Sequence, residues 1–260
     1  MSAIDLTSSC NVYCNDIVRF VLGNSWHPGG LELTAKLGQA LNLTEDDAVL
    51  DVACGIGSSG LHIAKSFGCS ISGIDSSDRN IDEANKNASA MDLPQKAEFK
   101  VGESARIPYN DESFTAVIVE CAISGFTNPN LALEEIRRVL KPQGRLGITV
   151  LAVDGDIPLE LQKGLEAFCL NIEMSPGRYE ELLAQNGFLD VSMTDRTNSL
   201  LELLEAIKKK MFLVEILKGI GKLKLTDDDL AYWKRLLSMV KESVNGGRIR
   251  YVMLTAMKHE

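Results

Sequence analysis

The chain has no apolar run approaching the roughly 18 residues that a bilayer span requires, so no membrane-inserted segment is expected. Met1-Ser2-Ala3-Ile4-Asp5-Leu6 has neither the basic start nor the apolar core of a signal peptide, and the expected location is the cytoplasm. Positive charge is in deficit: 27 Lys and Arg face 36 Asp and Glu, a formal net charge of -9. Such a surface repels polyanions, so neither nucleic acid nor an anionic membrane is an expected partner. The short Lys208-Lys209-Lys210 cluster is the exception and reads as a solvated helix face. With only 21 glycines and 7 prolines, and with 24% charged residues, disordered, fibrous and low-complexity classes are excluded. The 45% of hydrophobic residues in 260 is ample for the core of one large α/β domain. The six cysteines read as free thiols, because a cytosolic chain of this length does not need disulfides. Cys10-x-x-x-Cys14 lacks a second Cys or His pair, which argues against structural zinc, and no metal is expected.

No repeat or linker is evident, so organisation comes from short apolar runs alternating with helical periodicity. Strands are expected at 48–53, 69–75, 97–101, 114–119 and 145–150. One-faced helical patterns separate most of them, at 58–67, 77–91 and 129–140, and 31–41 forms a further helix ahead of the first strand. This alternation builds parallel βαβ units with right-handed crossovers. Beyond Val150 come a loop and helix at 158–171, a helix at 176–186, a strand at 188–194, about 50 mostly helical residues containing 200–217 and 227–244, and a final strand at 248–257 that reads as a sheet edge. If that last strand runs antiparallel beside its predecessor, the helical insertion leaves the sheet at the carboxyl end of the parallel strands, where open α/β sheets bind ligands. It would then form a lid. The expected organisation is a helical cap (1–45), a cofactor-binding core (46–152), an acceptor-side segment with the sixth strand (153–196), the insertion (197–247) and the final strand (248–260).

The sharpest local signal is Asp51-Val52-Ala53-Cys54-Gly55-Ile56-Gly57-Ser58-Ser59-Gly60, a strand that breaks into a glycine turn and then opens a helix. Gly55 and Gly57 let a ligand lie against bare backbone, and the helix amino terminus adds aligned N–H groups. Gly55-x-Gly57-x-x-Gly60 also matches the dinucleotide fingerprint, so the glycines alone do not choose between cofactors. No Gly-Lys-Ser/Thr follows them, which disfavours a kinase-type phosphate loop. The neighbouring acids discriminate further. Asp51 would repel a pyrophosphate but attract the ammonium group of an amino-acid tail. Asp75, ending the second strand 20 residues beyond Gly55, is placed to accept from both ribose hydroxyls. Gly102-Glu103-Ser104-Ala105 follows the third strand, so that Glu103 can accept from an adenine amine. Ammonium, ribose and adenine are the three groups these acids suit.

With these residues in place, the chain resembles class I S-adenosylmethionine-dependent methyltransferases, in particular the small-molecule branch that includes quinone, sterol and arsenite methyltransferases. The resemblance runs from about His27 to Val150 through Val49-Leu50-Asp51-Val52-Ala53-Cys54-Gly55-Ile56-Gly57, Gly73-Ile74-Asp75-Ser76-Ser77, the stretch from Gly102 to Phe114, and Arg138-Val139-Leu140-Lys141-Pro142-Gln143-Gly144-Arg145-Leu146. It implies a Rossmann-like, doubly wound, seven-stranded, mostly parallel sheet with an antiparallel last strand. It also implies S-adenosyl-L-methionine as cofactor, its methionine part along Asp51, Ala53, Gly55 and Gly57, its ribose at Asp75 and Ser76, its adenine at Gly102, Glu103 and Ser104, and Glu120 and Cys121 facing the sulfonium. Ala53 and Glu103 stand where many members have glycine and aspartate, which makes the adenine contact of Glu103 the weaker one.

The resemblance leaves the acceptor open. Methyl transfer from sulfur is an in-line displacement whose leaving group needs no proton, so positioning supplies much of the acceleration. A base is required only where the acceptor must lose a proton, and the candidates are His27, Glu120 and Tyr13. Glu120-Cys121-Ala122-Ile123-Ser124-Gly125-Phe126 lacks the Asn/Asp-Pro-Pro-aromatic run of amine methyltransferases that act on nucleobases or protein glutamine. A compact, largely apolar organic acceptor beneath Met211, Phe212, Leu213 and Trp233 is the first expectation. Cys121 and Cys169, with Cys54 in the glycine loop, suggest instead a thiol-bound metalloid such as trivalent arsenic, whose lone pair attacks without a base. Two rivals of other classes are a nicotinamide-dependent oxidoreductase and a non-catalytic cofactor-binding regulator.

Overall fold

The computed structural model describes residues 27–91, 93, 96–166, 174–219 and 226–259. Helix α1 (Gly30–Ala40) precedes β1 (Ala48–Val52), and βα alternation then gives α2 (Ser58–Phe67), β2 (Ser70–Asp75), α3 (Asp78–Ala90), β3 (Ala97–Val101), β4 (Phe114–Glu120), α4 (Pro129–Val139) and β5 (Leu140–Val153). Helices α5 (Leu159–Glu166) and α6 (Pro176–Gln185) lead into β6 (Phe188–Asp195), and α7 (Thr197–Gly219) and α8 (Asp227–Asn245) separate it from β7 (Ile249–Lys258). Local chemistry sets several starts. Ser77 caps α3 through the Asn80 N–H, Asn128 caps α4 with Pro129 at its first position, and Thr226 and Asp229 close a reciprocal capping box on α8.

The seven strands form one sheet in the order β3-β2-β1-β4-β5-β7-β6. Pairing is parallel from β3 to β5 and antiparallel on both sides of β7. One face buries Leu33 and Leu37 of α1 and Leu61 of α2 with Leu200 and Leu204 of α7. The other buries Leu133 and Ile136 of α4 with Tyr179 and Leu183 of α6. Helices on both faces make the expected doubly wound architecture.

The final strand is not a sheet edge, contrary to its alternating pattern. β7 lies between β5 and β6, and its residues are buried on both faces, Ile249, Tyr251 and Met253 on one and Val252, Leu254 and Ala256 on the other. The edge is β6, whose pairing is confined to β7 and whose middle is largely exposed. The antiparallel register nevertheless places the start of β7 and the end of β6 at the carboxyl edge of the parallel strands, so α7 and α8 emerge there. The Arg196 N–H donates to the Tyr251 carbonyl at 2.7 Å, and the Tyr251 N–H donates to Thr197 Oγ1 at 3.2 Å, tying the base of α7 to that edge.

Candidate functional site

The carboxyl ends of β1, β2 and β4 bring the glycine loop and the acids together. Asp51 pairs with Gly73 on β2 and Ile118 on β4, so its side chain shares a face with Glu120 two residues further along β4. After Val52 the chain turns through three left-handed residues, Ala53 (φ 61°), Gly55 (φ 54°) and Gly57 (φ 78°). The Cys54 N–H donates to the Ile74 carbonyl and the Gly57 N–H to the Cys54 carbonyl, both at 2.9 Å. A side chain at Gly57 would strike Phe99 at 2.9 Å, whereas one at Gly55 would meet nothing within 4 Å. Gly57 is therefore required by packing, and Gly55 opens bare backbone to a ligand.

Asp51 is buried, with 2% exposure, and its Oδ2 has no hydrogen-bond partner among the described residues. Burial, reinforced by the Glu120 and Asp75 carboxylates, pushes its carboxyl well above the usual carboxylate range, against a hydrogen bond from the Gly60 N–H. The Glu120 side chain is 4% exposed. Its Oε2 accepts from Thr34 Oγ1 at 2.9 Å and lies 3.6 Å from His27 Nε2, while its Oε1 is buried without a partner among the described residues. His27, just ahead of α1, is itself buried, with Nδ1 3.2 Å from the Pro28 carbonyl and Nε2 3.3 Å from Ser59 Oγ and 3.4 Å from Thr34 Oγ1.

The sequence candidates His27 and Glu120 thus meet in one buried cluster with Asp51. Thr34 and Ser59 complete it, and sequence reasoning missed both. A signal existed for Thr34, a polar residue among Leu33, Leu37 and Leu41 on the buried face of α1.

Asp75, half-buried at the end of β2, accepts from the Gly55 N–H at 2.9 Å through Oδ2, and from the Ser77 N–H at 3.0 Å and Asn80 Nδ2 at 3.1 Å through Oδ1. Ser76 is exposed beside it. The Gly102 N–H donates to the Asp75 carbonyl at 3.0 Å, placing the Gly102-Glu103-Ser104 turn next to β2. Within that turn Glu103 is exposed and Ser104 half-buried.

Cys121 adopts a left-handed φ of 55°, and its N–H donates to the Thr149 carbonyl at 2.7 Å. Burial, then the Glu120 charge, pushes its thiol up to about 12, with Tyr251 partly opposing the shift. Burial also raises the Cys54 thiol. Both shifts disfavour the thiolate form in the cofactor-free protein. Among the described residues Cys54, Cys69 and Cys121 are unpaired, and no group of three or more His, Cys, Asp or Glu side chains is placed to hold a metal ion. Cys10, Tyr13, Cys14 and Cys169 lie outside the described residues. Among the insertion residues, Phe212 (64% exposed) and Leu213 (42%) face outward, while Trp233 packs against the core.

Two unpartnered oxygens on buried carboxylates require a cation or a shared proton. A dinucleotide pyrophosphate would add negative charge there, whereas the ammonium of a methionine tail answers the requirement. With open backbone at Gly55 and a carboxylate at the second strand end, the residues present fit S-adenosylmethionine. Comparison with known proteins agrees. A family model described as a methyltransferase domain matches residues 43–215, more than half of the chain. An uncharacterized protein of Haemophilus influenzae is 31% identical over 171 residues, covering 63% of this chain and 67% of that protein. Demethylmenaquinone methyltransferase of Lactobacillus johnsonii is 27% identical over 220 residues, 76% of this chain and 87% of that one. The structure of Haemonchus contortus phosphoethanolamine N-methyltransferase 2 in complex with S-adenosyl-L-methionine superposes with a TM-score of 0.79 at 18% identity, covering 98% of this chain, which spans 58% of the length of that one. The glycine loop, the strand-end acids, the seven-stranded topology and the family match lead to one assignment: the chain belongs to the class I S-adenosylmethionine-dependent methyltransferases.

Proposed function

We propose that the protein transfers a methyl group from S-adenosylmethionine to a compact, largely apolar organic molecule that arrives already nucleophilic. The observation that carries the cofactor's orientation is the pair of free oxygens, Asp51 Oδ2 and Glu120 Oε1, which would receive the cofactor's ammonium. The methionine part then follows Ala53, Gly55 and Gly57. Asp75 and Ser76 serve the ribose, Gly102, Glu103 and Ser104 the adenine, and the Cys121 backbone borders the sulfonium. When bound, the cofactor supplies an electrophilic methyl and a neutral thioether leaving group.

What remains for this chain's own residues is to hold the acceptor in line and exclude water. Glu120 and His27 suit cofactor binding better than proton abstraction, because both are buried and committed to Thr34, Ser59 and each other. Two further observations bear on the acceptor. Helices α7 and α8 emerge at the carboxyl edge with Leu200, Leu204 and Leu236 buried, which suits an apolar molecule, and the relatives above are named for small molecules of differing polarity, demethylmenaquinone and phosphoethanolamine, which supports small size alone. The described thiols Cys54 and Cys121 favour their neutral form, which gives the metalloid reading no support, and the buried carboxylates weigh against a nicotinamide cofactor.

Methyl-labelled S-adenosylmethionine incubated with the protein and a cell extract, fractionated into organic-soluble small molecules, protein and nucleic acid, tests the reading. A parallel incubation contains arsenite as the sole added acceptor. Label in the organic-soluble fraction is expected. Label in protein, nucleic acid or methylated arsenic overturns the acceptor class, and cofactor binding with no transfer in any fraction favours a regulator.

A further inference from the structure

Glu120 is a carboxylate with one oxygen hydrogen-bonded and the other buried and unpartnered among the described residues. On the sheet side its neighbours are the Asp51 carboxylate and, one residue on, the Cys121 thiol, neither of which supplies a positive charge. From α1 the Thr34 hydroxyl donates to Oε2 at 2.9 Å, a much better contact than its alternative of 3.4 Å to the Gly30 carbonyl. From the segment before α1, His27 approaches the same Oε2 at 3.6 Å. Both contacts from the α1 side thus converge on Oε2, and Oε1 is left buried and unpartnered. Asp51 shows the same asymmetry, with an amide donor from Gly60 and a bare Oδ2. Thr34 has 0% exposure. A threonine in the apolar stripe of a helix ordinarily satisfies its hydroxyl on its own backbone four residues back, but here the shorter bond crosses to another element.

We propose that Thr34 is a positioning residue: by holding Oε2 of Glu120 it fixes the carboxylate so that Oε1, together with Asp51 Oδ2, faces the cofactor's ammonium. The inference rests on the placement of the methionine part proposed above and adds a role for α1. That helix sets the orientation of an acid on β4, and through it the enzyme's grip on the amino-acid end of the cofactor, not on its adenosine end. A carboxylate so fixed forms charge-assisted bonds without an ordering cost at the moment of binding.

Two ligands separate this role from a merely structural one. S-adenosylhomocysteine carries the amino-acid tail, whereas 5′-methylthioadenosine has the same adenosine and sulfur without it. Calorimetric titration of both into wild type, Thr34→Val, Thr34→Ser and Glu120→Gln gives a discrimination ratio for each protein. In Thr34→Val, affinity for S-adenosylhomocysteine is expected to fall about 10-fold, equivalent to about 1.4 kcal/mol, while 5′-methylthioadenosine binds within about twofold of wild type. Thr34→Ser, which keeps the hydroxyl, restores the ratio, and Glu120→Gln reproduces its loss with Thr34 intact. Equal weakening of both ligands in Thr34→Val, an unchanged ratio, or a serine variant that fails to restore it overturns the proposal. If Thr34→Val does not yield folded protein, an unchanged ratio in Glu120→Gln overturns it instead. A wild type that binds both ligands equally well removes the ammonium placement itself, a different result from a normal wild type with an indifferent Thr34→Val.

Discussion

Asp51→Asn should move stability and cofactor affinity in opposite directions. In the cofactor-free protein the Asp51 carboxyl is buried beside two other carboxylates with one oxygen unpartnered. An asparagine keeps an oxygen for the Gly60 N–H and directs an amide donor at the carboxylate group. Relieving one unsatisfied buried polar atom contributes about 1–3 kcal/mol, which for a chain of this size raises Tm by about 2–10 °C. The pH dependence follows from the direction of the shift. Because the folded carboxyl titrates above its unfolded value, Asp51 contributes stability at acid pH. That contribution fades as pH rises from about 4, the unfolded value, through the higher folded one. The asparagine variant lacks this slope, so its advantage should be small near pH 4 and largest at neutral pH. Affinity moves the other way: losing a charge-assisted bond to the ammonium costs about 1.5–3 kcal/mol, or about 10–150-fold in Kd. Thermal denaturation from pH 4 to 8 with and without S-adenosylhomocysteine, together with calorimetric titration, measures both. A variant that loses stability in the cofactor-free state, or that binds S-adenosylhomocysteine as tightly as wild type, refutes the description of Asp51 as a strained receptor for a cation.

Asp75→Ala should weaken S-adenosylmethionine by about 1.5–3 kcal/mol through lost ribose contacts. It should also lower Tm, because the Gly55 and Ser77 amides lose their acceptor; unchanged affinity in a folded variant, read by calorimetry, contradicts the ribose role. Gly57→Ala combines a left-handed backbone, worth about 1–2 kcal/mol of strain, with a 2.9 Å clash on Phe99, so a denaturant midpoint equal to wild type would refute the packing argument. Cys121→Ser should retain cofactor affinity and methyl transfer, since the half-buried thiol favours its neutral form; loss of turnover with cofactor binding intact would revive a role for sulfur. Hydrogen exchange should show added protection in α7 and α8 when product cofactor and acceptor are bound together, and its absence would count against closure over the acceptor.

The parallel core was legible because its signals are local. Apolar runs bounded by turn residues marked β1 to β5, and three acids spaced at successive strand ends named the cofactor's chemistry. What escaped depends on contacts distant in sequence. Alternation in β7 suggested a half-exposed edge, because polar residues such as Arg250 and Thr255 interrupt it, yet helices cover both of its faces. Ala53 holds a left-handed φ of 61°, a conformation that costs an alanine strain and that glycine would adopt without it. Thr34 stands out locally only as a polar residue on an apolar helix face, and Ser59 not at all; their meaning comes from Glu120 and His27, up to 86 residues away. Glu103 is expected at the adenine from its place after the third strand and from the family resemblance, and its side chain is exposed at that sheet edge.

The position of β7 also bears on how the molecule is made. Residues 249–258 pair with β5 in a register that joins Arg145 to Met257 and with β6 in one that joins Phe188 to Lys258. During synthesis β5 is exposed long before its neighbour exists, and β6 has no sheet partner until the same ten residues have left the ribosome. One flank of the sheet therefore waits, as an open and apolar strand edge, while more than fifty further residues are translated. A nascent chain stalled within α8 should be the species most dependent on chaperones, and the α7–α8 insertion, by lengthening that wait, trades folding speed for the helices it places at the carboxyl edge of the sheet.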